Sequence, residues 1–98
     1  FLKNKIFLII IKMLKYIAEF IGTFILLSVI IASGDPLAIG LALAVACWFG
    51  TKISGGHFNP AVTVVKYIQN SVNMSDALFY VVAQVLGGVA AMYFMKSQ

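Results

Sequence analysis

Arginine is absent from this chain, and its acidic residues number three: Glu19, Asp35 and Asp76. Charged residues of either sign make up 10% of its 98 positions. A soluble domain carries about a quarter. So little charge cannot cover a surface that faces water on every side. The hydrophobic share is 62% and the mean hydropathy +1.03. A chain this short leaves much of its surface exposed however it folds, so lipid has to cover the rest and the class is a membrane protein. Cysteine occurs once, at Cys47, which rules out an intramolecular disulfide and reads as a small packing residue. The single histidine, His57, has no second histidine or cysteine nearby, so no metal site is expected. No nucleophile–base pair and no phosphate-binding loop stands out, so neither an enzyme nor a cofactor is expected.

The basic residues are all lysines: Lys3, Lys5, Lys12, Lys15, Lys52, Lys66 and Lys96. They do not cluster with aromatics on a polar face, so nucleic acid is not an expected partner. Four of them precede the first long apolar run. Positive flanks stay on the cytoplasmic side, which puts the N-terminus in the cytoplasm.

Three apolar runs are present: Tyr16 to Ala32, Leu37 to Ile53 and Ala77 to Met95. With their flanks, each approaches the roughly 20 residues that cross about 30 Å of hydrocarbon as a helix. Between the first two, Ser33-Gly34-Asp35-Pro36 forms a tight turn, so those helices are antiparallel neighbours. Ser75-Asp76 reads as the N-cap of the third. The expected divisions are a cytoplasmic extension over 1–14, two helices over 15–53, a re-entrant loop with a half-helix over 54–70, and a third helix over 75–96. The run Ile6 to Ile11 is too short to span and, with Lys12 and Lys15 following at once and no small-residue cleavage site, does not read as a signal peptide. Met13 would be a natural start, so the first twelve residues read as an upstream extension or the end of a fragment. Small residues recur at four-residue spacing: Ala18 and Gly22, Gly40 and Ala44 beside Ala42, Ala46 and Gly50, then Ala83, Gly87 and Ala91. Such stripes let membrane helices approach closely.

The chemistry lies between the second and third runs. Asn59 is a strong N-cap and Pro60 suits the first helical position, so a helix starts there and runs to about Asn70. It spans about half a bilayer. Gly55-Gly56 before it permits an extended or strained backbone. An extended segment that dips in, followed by a half-length helix, is a re-entrant loop, tolerated at that depth only where protein surrounds it or water lines it. The carbonyls of Gly55, Gly56, His57 and Phe58 would form a ladder of acceptors. The half-helix would aim its positive end at the midplane. Asn59 can cap that helix with its oxygen and still offer its amide hydrogens to a pore. Cations would meet an electrostatic barrier.

The stretch from Ser54 to Thr63, with Asn59-Pro60-Ala61 at its centre, resembles the first signature loop of the major intrinsic protein family, the aquaporins and glycerol facilitators. Ala18-Glu19-Phe20-Ile21-Gly22-Thr23 is similar to that family's first helix, and Ala83-Gln84-Val85-Leu86-Gly87-Gly88 to its third. The resemblance implies the first inverted repeat of the aquaporin-like fold: an all-α membrane protein with three transmembrane helices and one re-entrant half-helix. It implies a homotetramer when full length. It makes Asn59 one of two pore asparagines, Glu19 and Gln84 the buried supports of the loop, and Ile39, with Leu43 one turn along, part of the pore wall near the selectivity filter.

The chain departs from the family pattern in lacking a second Asn-Pro-Ala and the filter arginine. It is therefore expected to be part of a six-helix channel, since inverted-repeat folds build their site between two copies. A half-size protein pairing head to tail is the other reading, and the lysine bias opposes it. The expected function is a passive channel for water. The alternatives are a facilitator for glycerol or other small neutral solutes, an ion-coupled transporter, or an accessory membrane protein without transport activity.

Overall fold

The computed structural model describes residues 1–96. Ser97 and Gln98, where the next loop is expected to begin, lie outside the described residues. Four helices follow in order: α1 Leu2–Ala32, α2 Pro36–Ser54, α3 Pro60–Ile68 and α4 Met74–Lys96. The described residues form no strand. Helices α1, α2 and α4 are long and apolar enough to cross a membrane. Helix α3, with nine residues, is about 14 Å long.

Local chemistry sets the ends of these helices. The Asp35 carboxylate accepts the Ala38 amide hydrogen at 2.9 Å, with Pro36 in the first turn, so α2 starts sharply. It ends at Gly55, whose φ of 90° suits a residue without a Cβ. The α1–α2 turn closes through Ser33 Oγ, which accepts the Asp35 amide at 3.1 Å.

Two boundaries differ from the sequence reading. Helix α1 begins at Leu2, well before the apolar run at Tyr16. Lysine is a good helix former and no breaker stands between the short run and the long one. Lys12 and Lys15 therefore do not end the helix. With 31 residues, α1 is about 46 Å long, more than a bilayer core requires. The second difference is the cap of α4. It is Asn73, whose Oδ1 accepts the Asp76 amide at 2.7 Å, while Ser75 lies inside the first turn. Asn73→Ala is expected to cost about 1 kcal/mol through loss of this cap. Faster hydrogen exchange in the first turn of α4 would show it, and unchanged exchange would put the cap elsewhere.

Helix α1 lies in the middle, with α2 on one side and α4 on the other. Helix α3 packs on α4. Small residues make the close approaches. Ala18 and Gly22 on α1, Ala42, Ala46 and Gly50 on α2, and Ala83, Gly87 and Ala91 on α4 are all buried. At Gly87 the α4 backbone comes so near Phe20 of α1 that a Cβ would meet the Phe20 carbonyl oxygen. Gly40 and Ala44 are exposed, so the α2 stripe that packs is Ala42-Ala46-Gly50 alone. Much of the remaining apolar surface is bare, including Leu41, Val45, Trp48, Leu78, Phe79 and Val82.

Candidate functional site

The segment between α2 and α3 is organised by one carboxylate. Glu19 is fully buried on α1. Its Oε2 accepts the Ser54 hydroxyl at 2.6 Å and the His57 amide at 3.0 Å. Its Oε1 accepts the Phe58 amide at 2.8 Å and the Gln84 side-chain amide, also at 2.8 Å. Four donors from α2, the loop and α4 thus converge on α1. Buried charge persists where it is saturated with hydrogen bonds in this way.

Every amide from Gly55 to Phe58 is turned to the protein side. Gly55 N–H goes to the Thr51 carbonyl at 2.9 Å and Gly56 N–H to Ser54 Oγ at 3.2 Å; the other two reach Glu19. The matching carbonyls, those of Gly55, Gly56, His57 and Phe58, accept no hydrogen bond among the described residues. The segment therefore carries donors on one edge, all used, and acceptors on the other, all available among the described residues. The conformation has positive φ at Gly55, Gly56 and Phe58, at 90°, 65° and 55°. A phenylalanine there is strained, and such strain persists only where the surroundings over-determine it. Here the Phe58 ring is seated between Gly22 of α1 and Gly50 of α2, where a Cβ at either glycine would occupy the ring's place.

Asn59 follows. Its Oδ1 accepts the Ala61 amide at 2.8 Å, which fixes which side-chain atom is oxygen. Its carbonyl accepts the Thr63 amide at 3.1 Å. The side-chain NH2 has no partner among the described residues, and the residue is exposed. Pro60 and Ala61 open α3 behind it.

His57 places its ring, not only its backbone, in the support of the loop. The ring packs 4.9 Å from that of Tyr80, centroid to centroid, and Nδ1 lies 2.9 Å from Thr63 Oγ1. Gln84 donates through one nitrogen to both Glu19 and Thr63, the latter at 2.9 Å. Thr63, Ser54 and Tyr80 are members of the network that sequence reasoning missed. Tyr80 donates to the Ser54 carbonyl at 2.7 Å, closing the end of α2. Thr63 stands one helical turn after Asn59, a spacing that could have pointed to it.

Asn59, Thr23 and Gln84 border a groove of about 360 Å³ between α1 and α4. Thr23 Oγ1 and Gln84 Oε1 are buried and have no hydrogen-bond partner among the described residues. Ile39 and Leu43 do not border this groove; they lie on α2, which does not pack against α3.

Helices long enough to cross a membrane, together with an irregular segment that hands over to a half-length helix, define a multi-pass integral membrane protein with a re-entrant loop. Residues 10–98 match the family model described as Major intrinsic protein, and the chain belongs to that family. It is 46% identical over 94 residues to Glycerol uptake facilitator protein-like 6 of Lactiplantibacillus plantarum, covering 87% of this chain and 44% of that protein. It is 35% identical over 92 residues to Aquaporin Z of Photorhabdus laumondii, covering 79% of this chain and 40% of that protein. With Aquaporin TIP1-2 of Zea mays the identity is 48% over 60 residues, covering 61% of this chain and 24% of that protein. The chain spans less than half the length of these relatives.

Proposed function

We propose that this chain forms one half of a passive channel for water, with its lysine-rich end and N-terminus in the cytoplasm and four full-length copies making a homotetramer. One observation carries the reading: four unpaired carbonyls, from Gly55 to Phe58, lead to the free amide of Asn59 at the positive end of a half-helix. A water in single file would accept from Asn59 and donate to the carbonyls in turn. A cation would meet the helix's positive end, equivalent to roughly +0.5 charge. The acceptorless flank is held rigid by Glu19 and Gln84, so the row keeps its shape without a ligand. Ile39 and Leu43 would form part of the wall once a second half stands opposite. That half would also bring donors to Thr23 Oγ1 and Gln84 Oε1, whose isolation otherwise costs about 1–3 kcal/mol each.

The test is osmotic shrinkage of liposomes holding the protein expressed from its whole reading frame. Water flux well above that of empty liposomes, without an ion gradient, is expected; flux at the empty-liposome rate would overturn the reading. In the same vesicles Asn59→Asp places a negative charge where the helix end repels cations. Cation leak is expected to rise about tenfold, the factor that ~1.4 kcal/mol off a barrier gives. An unchanged leak would remove Asn59 from the barrier.

A relative 46% identical is named a glycerol uptake facilitator, so passage of glycerol is the second reading. Ile39→Trp separates the two. If Ile39 lines the filter, glycerol flux falls several-fold before water flux changes. Equal losses of both would place Ile39 off the pore.

A further inference from the structure

A second cavity, of about 340 Å³, opens at the opposite end of the loop from the Asn59 groove. It is bordered by Lys15 of α1, Lys66 of α3, Ser71 of the α3–α4 connection and the ring of His57. We propose that it binds a phosphate group, carried by an anionic lipid headgroup or as free phosphate.

Both charged side chains bordering this cavity are cationic, and Gly55, whose carbonyl is unpaired, borders it as well. Neither Lys15 nor Lys66 forms an ion pair or hydrogen bond among the described residues. Ser71 is exposed and its hydroxyl is uncommitted. The hydrogen on His57 is placed by the network behind it. Gln84 donates to Thr63 Oγ1 at 2.9 Å, so the Thr63 hydroxyl has its own hydrogen to give. The nearer acceptor is His57 Nδ1 at 2.9 Å, against 3.4 Å to the Asn59 carbonyl. With Nδ1 accepting, Nε2 carries the ring hydrogen, beside Gly55 at the border of the cavity. Tyr80 and Ser54 also border the space, but their hydroxyls are turned inward to the Ser54 carbonyl and to Glu19.

No carboxylate borders the cavity. Asp76 is engaged by the Tyr16 hydroxyl at 2.7 Å. Glu19 lies behind the loop, its oxygens covered by four donors. Two ammoniums, one imidazole N–H and one hydroxyl form a set that a tetrahedral anion can satisfy. The position suits a headgroup. Six of the seven lysines, all but Lys96, lie at this end by the course of the helices. Anionic leaflets attract such basic ends.

The purified protein, expressed from its whole reading frame, is titrated with short-chain phosphatidylglycerol, with phosphatidylcholine and with inorganic phosphate, reading melting temperature and affinity. Phosphatidylglycerol is expected to raise the melting temperature and phosphatidylcholine to leave it unchanged. Lys15→Gln and Lys66→Gln are each expected to weaken binding about fivefold and together about 25-fold, while Lys96→Gln leaves it intact. Inorganic phosphate giving the same shift, lost in the same variants, would identify the free ion as the source and support the site equally. Phosphatidylglycerol binding unchanged in the double lysine variant, or no binding of either anion, overturns the proposal. Lys66 is exposed and Lys15 half-buried, and an unaltered melting temperature without ligand shows that the variants fold.

Discussion

Glu19→Leu is expected to yield almost no folded protein. The carboxylate receives the Ser54 hydroxyl, the His57 and Phe58 amides and the Gln84 side chain, all buried. Leucine offers no acceptor. Each donor left unpaired in the interior costs about 1–3 kcal/mol, and four together rival the roughly 5–15 kcal/mol that holds a whole domain. Glu19→Gln is milder. Its oxygen can still accept, but its NH2 faces groups that are themselves donors, so a loss of a few kcal/mol is expected, about what one or two orphaned donors cost. Monodisperse yield on size exclusion and a melting curve in detergent measure both variants. A leucine variant with normal yield and melting temperature would show that the loop is held by something else. Normal yield with altered conductance would move Glu19 from support to the pore.

Gly22→Ala is expected to cost about 1–3 kcal/mol by overpacking, because the added methyl would occupy the place of the Phe58 ring. The same holds for Gly50→Ala on the opposite wall of that seat. For a chain of this size each kcal/mol lowers the melting temperature by roughly 4–8 °C. The diagnostic result is the double variant. Gly22→Ala with Phe58→Leu removes ring atoms where the methyl enters, so part of the loss should return, as a coupling of about 0.5–3 kcal/mol. Strict additivity would mean that the ring and the glycine do not meet. The contrast is Gly87→Ala, where the opposing atom is the Phe20 backbone carbonyl and no side-chain change can make room.

Much of this arrangement is legible in the sequence because it rests on local rules. Apolar length marks the three long helices. Asn59-Pro60 marks the start of α3, since the cap needs an acceptor side chain and the first turn tolerates a missing N–H. The cap of α4 was less legible. Asn73, Ser75 and Asp76 all carry capping oxygens, and which one reaches the open amide depends on where the preceding loop leaves the chain. The start of α1 was hidden for a different reason: lysines signal water, and a helix can pass from lipid into water without breaking. The seat of the Phe58 ring could not be read at all. It joins residues 22, 50 and 58, which only the crossing of α1 and α2 brings together, and small residues at such spacing signal close packing without saying what fills it. The same is true of Thr63, whose partners His57 and Gln84 come from two elements.

The convergence on Glu19 also sets an order of events during synthesis. The acid enters the bilayer with α1, ahead of the groups that pair with it. Its loop partners, His57 and Phe58, follow 38 and 39 residues later, and Gln84 only after 65. Until α4 inserts, the acid lacks part of its hydrogen-bond set in a segment meant for lipid, a costly state there. Assembly of α1 to α4 is thus a latch that closes from its far end: the set of donors around Glu19 is complete only once residue 84 is in place.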